Sequence, residues 1–276
     1  MISFQGTFGA YSDLACRKFY KNYNVLPCDT FEETFESVAK SKSILAMIPV
    51  DNSIAGRVAD IHFLIKKTNL KIIAEHYMKI EHHLLGLKDS KISDAKNVYS
   101  HVHALSQCKK TIKRLKLKSV NFSDTAGAAK FILKLNDKSS AAIASELSAK
   151  IYGLQILKRN IEDENENFTR FLVFSKTSVN LKKNSKIITS LIFNTRNIPA
   201  SLYKSLGGFA TNGINLTKLE SYFTDNSFDQ SSFLIDIESH PEDSSFKAAL
   251  DELKYFSTKI KILGSYPASD FRTERK

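Results

Sequence analysis

Residues 164–174 read ENENFTRFLVF, an acidic, amide-rich run that gives way at Phe168 to an apolar strand. With the period of two that a strand imposes, Thr169, Phe171 and Val173 share one face, and Phe168, Arg170, Leu172 and Phe174 the other. Both faces are apolar, so a hydroxyl and a guanidinium placed among them need partners, from the protein or from a ligand. Propensity explains a threonine in a strand, and an arginine can snorkel from an edge. The chemical alternative is that Thr169 hydrogen-bonds a leaving oxygen and Arg170 clamps a carboxylate.

Five other stretches place small or hydroxyl residues where a strand gives way to a helix: GTFGAYSD (6–13), PVDNSIAG (49–56), SHVHALSQ (100–107), SDTAGAAK (123–130) and ASELSAK (144–150). Helix N-termini expose unpaired N–H groups and the positive end of the helix dipole, and in open α/β sheets such junctions gather at the ligand-binding edge. Ser100, Asp124 and Ser145 are also ordinary N-cap residues. Together the junctions favour a small anion. No GxGxxG and no GxxxxGK[ST] occurs, so a carboxylate-bearing metabolite fits better than a dinucleotide or a nucleoside triphosphate.

Other chemistries find less support. EHYMKIEHHLL (75–85) holds His76, Glu81, His82 and His83, but on a strand Glu81 and His83 share one face and the well-separated His76 and His82 the other, and there is no HExxH, so no metal is expected. No GxSxG elbow appears. His101 and His103 could serve as acid or base, or equally face water in a first helical turn. Helical spacing puts Gln107 with His103, Lys110 and Arg114 on the polar side of a helix whose buried stripe is Val102, Leu105, Cys108, Ile112 and Leu115.

The elements that must position these groups alternate. Strands near ISFQ, NVLPCD, ILAMIPV, NVYS, VNFS and AAIAS are each followed by a helical pattern, at 11–20, 31–39, 58–66, 102–115, 125–135 and 146–151, and one long strand region covers 70–87. Such alternation predicts βαβ units and largely parallel sheets, and an unbroken run such as ILAMI suits a strand covered on both faces. Residues 176–186, KTSVNLKKNSK, are polar and aperiodic, a linker. Beyond them the pattern is strand, helix (200–210), strand, strand, helix (246–253), strand, a ferredoxin-like βαββαβ unit.

The 276 residues suffice for two domains, and 42% apolar content without biased tracts is that of a globular protein. No apolar run approaches the ~20 residues of a membrane span, and no basic segment followed by an apolar stretch opens the chain. Cys16, Cys28 and Cys108 are odd in number and far apart, which disfavours a disulfide framework and suits the reducing cytoplasm. The net charge of +11 is nearly all lysine, dispersed and without a nucleic-acid signature, so neither nucleic acid nor membrane is an expected partner. The charge can still steer anionic metabolites.

Taken together, these segments resemble the prephenate dehydratases. FQGTFGAYSDLAC is similar to the family's QG-x-x-GAYS-x-x-A, and PVDNSIAG to P-x-ENS-x-x-G with Asp51 for glutamate. SHVHALSQC resembles SHPQAL-x-QC with Val102 and His103 for proline and glutamine, and DTAGAA and NFTRF follow DTA-x-AA and N-x-TRF. The resemblance implies an α/β fold: a two-lobed, type II periplasmic-binding-protein-like catalytic domain over 1–178, with a second lobe at roughly 76–165, and an ACT domain over 187–267. The strand at 168–174 would return to the first lobe.

The resemblance also implies roles. Thr169 is catalytic, with Asn52, Ser100 and Gln107, which reverses the solvated-face reading of Gln107; Ser53, Thr125, Arg170 and Phe171 contact substrate. Prephenate loses CO2 and water to give phenylpyruvate without a cofactor, and a homodimer or homotetramer binds phenylalanine through Ala200, Ser201, Leu202, Asn215, Leu216, Glu220 and Ser221. NLTKLES matches the family closely, whereas SYF stands for SRP and IPASL for the GAL segment. The rival readings are an arogenate dehydratase and a non-catalytic sensor of an aromatic metabolite.

Overall fold

The computed structural model describes residues 1–58, 61–182, 185–224 and 227–274, with the backbone alone at 223, 224 and 227–230. In chain order the elements are β1 (Ile2–Gln5), α1 (Tyr11–Phe19), β2 (Val25–Cys28), α2 (Phe31–Ala39), β3 (Leu45–Asn52), β4 (Gly56–Arg57), α3 (Ile61–Lys67), β5 (Lys71–Lys79) and β6 (His83–Gly86). Then come β7 (Asn97–Ser100), α4 (Val102–Gln107), α5 (Lys109–Arg114), β8 (Lys118–Asn121), α6 (Thr125–Leu135), β9 (Ser140–Ala144), α7 (Glu146–Tyr152), β10 (Gln155–Lys158) and β11 (Phe168–Ser175). The chain ends with β12 (Ile187–Thr195), α8 (Ser201–Thr211), β13 (Leu216–Thr224), β14 (Ser227–Glu238), α9 (Ser244–Phe256), β15 (Ser257–Pro267) and α10 (Phe271–Glu274). Contacts group Met1–Leu64 with His76–Leu172 as one compact unit, and Ile65–Glu75 with Val173–Lys276 as another.

In the first unit, one sheet runs β2-β1-β3-β11-β5, with β1 parallel to β2 and β3, and β4 turned back antiparallel on the end of β3. The apolar run in β3 is buried on both faces, as its unbroken composition predicts. A second sheet runs β10-β6-β9-β7-β8, with β7 parallel to β8 and β9, and β6 antiparallel to β9 and β10. Leu84, Val98, Ile112 and Ile143 fill one side of it, and Leu85, Ala129, Ile132 and Ala142 belong to a separate cluster. Asp124 caps α6 through the Gly127 N–H at 2.6 Å, and Ser145 caps α7 through the Ser148 N–H at 3.1 Å. Ser100 does not cap: it ends β7, and His101 takes that place at α4.

Two predicted elements are broken. The long strand at 70–87 divides into β5 and β6, with Ile80, Glu81 and His82 in the gap. There the Ile80 N–H bonds the Asn167 carbonyl at 2.8 Å and the His82 N–H bonds the Glu162 carboxylate at 2.9 Å, so the backbone leaves the ladder for the segment before β11. The helix at 102–115 divides at Cys108, where φ is −115° and ψ 20°. The Asp163 carboxylate accepts the Lys110 N–H at 3.1 Å and caps α5 from outside the helix. β4, β10 and α10 are too short to show a period in the sequence.

The second unit has the predicted βαββαβ order, with strands arranged β13-β14-β12-β15, all antiparallel, around Leu191, Phe193, Phe209, Ile235 and Phe246. Residues Ile65–Glu75 are tied into this unit. Lys261 Nζ donates to the carbonyls of Lys66 and Thr68, and Lys71 Nζ to that of Ile262 at 3.4 Å. Arg272 grips the buried Glu75 carboxylate with two bonds, 2.5 and 2.9 Å. Gly264 lies so close that a Cβ there would stand 2.2 Å from the Ile72 carbonyl oxygen. Among the described residues no helix is long and apolar enough to cross a membrane, and no group of side chains has the make-up of a metal site.

Candidate active site

β11 lies between β3 and β5, which brings Thr169 beside the end of β3. There Asn52 Nδ2 donates to Thr169 Oγ1 at 3.0 Å and to Asn167 Oδ1 at 2.7 Å. The sense of the Asn52 amide is set by its own turn, since Oδ1 accepts the N–H groups of Ile54 at 3.1 Å and Ala55 at 2.7 Å. Ser53 fastens the same corner: its N–H reaches the Phe168 carbonyl at 2.8 Å, and its Oγ accepts the Phe168 N–H at 2.9 Å and donates to the Glu166 carbonyl at 3.0 Å.

From Asn167 the network runs on. Asn167 Nδ2 donates to Gln107 Oε1 at 2.9 Å, and His82 Nε2 meets the same oxygen at 2.8 Å. His82 Nδ1 lies 2.7 Å from the Tyr11 hydroxyl, which is also 3.0 Å from the Glu81 carbonyl. Burial pushes the His82 pKa down, which favours the neutral ring, and burial pushes the Tyr11 phenol well above its ordinary range. The two groups therefore meet as a protonated phenol and a neutral imidazole.

Thr169 is 8% exposed and accepts a hydrogen bond from Asn52, which leaves its own O–H to donate elsewhere. Gln107, with its carbonyl taken twice, has both amide protons available in the same sense. The corner thus offers two donors and no strong base, an arrangement suited to assisting departure of an oxygen.

The structure joins Asn52, Gln107 and Thr169 with Ser53 in one constellation. Gln107 does not face solvent as helical spacing predicted, because the helix ends at that residue. Ser100 stands apart, fully buried, its hydroxyl donating to the Ile143 carbonyl at 2.6 Å. Thr125 opens α6 behind its Asp124 cap, and Phe171 is a core side chain, 1% exposed. Arg170, predicted to clamp a carboxylate, is 5% exposed and paired with Asp51 at 3.6 Å. The predicted anion-binding junctions are partly self-satisfied: the Gly9 N–H goes to Asp13 Oδ2 at 2.9 Å, and those of Gly127 and Ser148 go to their caps.

In the second unit Ala200, at φ 61°, precedes the first turn of α8, which holds Ser201 and Leu202. Asn215 donates to Glu238 at 2.8 Å, Leu216 opens β13, and Glu220 pairs with Lys218 at 3.1 Å beside an exposed Ser221. Sequence reasoning missed Tyr11, His82, Asn167 and Glu162 as members of the first site. Tyr11 and Asn167 stood inside quoted motifs, GAYS and NFTRF; His82 carried no signal while its segment read as continuous strand.

Residues 2–179 match the family model for prephenate dehydratase. The chain is 45% identical, over 99% of its length and 97% of the relative's, to a bifunctional N-acyl-homoserine lactone acylase/prephenate dehydratase of Komagataeibacter europaeus. It is 37% identical to the chloroplastic arogenate dehydratase/prephenate dehydratase 2 of Arabidopsis thaliana, over 96% of this chain and 72% of that one. Among solved structures it superposes with a TM-score of 0.90 and 28% identity on the Arthrobacter aurescens prephenate dehydratase in complex with L-Phe, covering 98% of this chain and 90% of that one. The motifs, the hydrogen-bonded corner around Thr169 and the family match agree, and the chain belongs to the prephenate dehydratase family.

Proposed function

We propose that the protein converts prephenate to phenylpyruvate, with Thr169 donating the proton that the C4 hydroxyl needs in order to leave. The observation that carries this reading is the Asn52–Thr169 bond, which occupies a lone pair of the threonine and frees its O–H. As the C–O bond breaks, the pair of electrons released by C–CO2 cleavage completes the aromatic ring. The hydroxyl departs as water with the Thr169 proton, and solvent restores that proton. The sum is prephenate plus one proton giving phenylpyruvate, CO2 and water. Gln107 orients the substrate's oxygens, Asn52 holds the Thr169 hydroxyl, Ser53 holds the corner, and the net charge of +11 helps gather the dianion.

Residues 1–178 then form the catalytic domain, with its two sheets as periplasmic-binding-protein-like lobes, and 187–267 form an ACT domain. Phenylalanine binding at Ala200–Leu202, Asn215, Leu216, Glu220 and Ser221, in a paired oligomer, would bias the catalytic domain between states. The L-Phe complex of the Arthrobacter aurescens relative supports that assignment. The test is phenylpyruvate formation from prephenate at neutral pH, with and without millimolar phenylalanine. Thr169→Ala is expected to lower kcat at least ~10²-fold with the fold intact. Turnover near wild type in that variant overturns the threonine assignment. Turnover and binding heat that ignore phenylalanine overturn the regulatory one.

Two further substrates are favoured by relatives of high identity. The Arabidopsis thaliana relative carries both dehydratase names, so arogenate is assayed beside prephenate. The Komagataeibacter europaeus relative is also named an acylase, so release of a fatty acid from an N-acyl-homoserine lactone is the matching assay.

A further inference from the structure

We infer that His82, held by Tyr11, is a positioning residue of the dehydratase: it fixes the Gln107 amide with its carbonyl inward and its NH2 free for substrate. The inference rests on the dehydratase reading and deepens it. The N–H groups of Ile54 and Ala55 claim Asn52 Oδ1, so Asn52 must donate through Nδ2. Asn167 must then accept with Oδ1 and donate with Nδ2, and Gln107 must accept with Oε1. A flipped Gln107 would set NH2 against NH2, at the cost of an unpaired donor on the fully buried Asn167.

Asn167 alone leaves the second lone pair of that carbonyl open, and His82 fills it from Nε2 at 2.8 Å. It can do so only in the tautomer that carries its proton on Nε2, with Nδ1 bare. Tyr11 favours that tautomer by turning its one proton to Nδ1 at 2.7 Å, the shorter of its two contacts, rather than to the Glu81 carbonyl at 3.0 Å. The ring itself is held in place: its backbone N–H is bonded to Glu162, and the Tyr11 ring meets it edge-on at 5.4 Å. The backbone amides at Asn52 thus set the sense of each bond as far as His82, and the Tyr11 hydroxyl completes it at Nδ1. The donors that this leaves are the Thr169 O–H and the Gln107 NH2.

The first measurement is the nitrogen-15 NMR spectrum of the ring nitrogens of His82 in the wild-type protein at neutral pH. A protonated Nε2 and a bare Nδ1 are expected; the opposite tautomer, or an imidazolium, overturns the inference. The second uses paired variants. His82→Gln keeps an N–H near the position of Nε2, whereas His82→Leu keeps bulk without a donor. His82→Leu is expected to lower kcat by roughly 10- to 100-fold with KM nearly unchanged, and His82→Gln to recover most of it. Equal turnover in the two variants overturns the role. Should His82→Leu not fold, Tyr11→Phe removes one oxygen and is expected to mix the tautomers and lower kcat several-fold; an unchanged tautomer and rate overturn the inference. A wild type that makes no phenylpyruvate counts against the dehydratase reading, whereas an active wild type with the wrong tautomer counts against His82 alone.

Discussion

Thr169 is the residue on which most depends, and its hydroxyl has a steric and a chemical part that can be separated. Thr169→Val keeps the β-branched shape that the strand accommodates and deletes only the oxygen; kcat is expected to fall at least ~10²-fold while the thermal midpoint moves little. Thr169→Ser keeps the donor and is expected to stay within about tenfold of wild type in the same assay. Ser100 is the contrasting case. Its buried hydroxyl is spent on the Ile143 carbonyl, so Ser100→Ala is expected to lower the unfolding free energy by about 1 kcal/mol, read as a lower urea midpoint. An unchanged midpoint in that variant would show that the bond contributes nothing to stability.

Elements hold these residues by a few close contacts. The turn before α1 passes against α7: Gly9 adopts φ +92°, its carbonyl accepts from Ser145 at 2.6 Å and Ser148 at 2.8 Å, and a Cβ would lie 2.7 Å from Ser148 Oγ. Gly9→Ala therefore meets both a backbone penalty and a clash, and is expected to cost on the order of 1–3 kcal/mol in chemical unfolding. In the second unit, Arg272→Met is expected to cost about 3–5 kcal/mol, because Glu75, whose side chain is fully buried, would keep its charge without that guanidinium. A loss well under 1 kcal/mol would mean that the carboxylate finds another partner or takes up a proton.

Across the whole molecule, three histidines shape the response to acid. Burial is the leading cause that holds His82, His83 and His101 below the ordinary value of 6.5. His82 faces Tyr11 on α1, Gln107 at the end of α4, Glu162 and His83; the Gln107 hydrogen bond and the Glu162 carboxylate favour its protonated form but do not offset burial. Because the folded values are depressed, the unfolded chain takes up protons first as pH falls. Stability is full above about pH 6.5 and is lost as pH drops through the folded values. The thermal midpoint is expected to fall between about pH 7 and pH 5, and His82→Gln to flatten that slope; a midpoint that holds steady would contradict the assignment. The net charge of +11 adds to the effect, since each proton taken up increases self-repulsion.

The sequence by itself determined the alternation of strands and helices, the βαββαβ order after residue 186, and the motif residues Asn52, Gln107 and Thr169. These follow from local periodicity, from cap chemistry and from motifs that are contiguous in the chain. Only the tertiary structure decided which side chains meet. Asn52 and Asn167 are 115 residues apart, Tyr11 and His82 71, and Gln107 and Asn167 60. Periodicity reports which face of an element is buried, not which polar group waits there. The breaks at Ile80–His82 and at Cys108 escaped notice for the same reason: the carboxylates that stabilise them, Glu162 and Asp163, arrive from a distant segment. His82 became legible only once that segment, returning to place β11 between β3 and β5, had turned its ring toward Gln107.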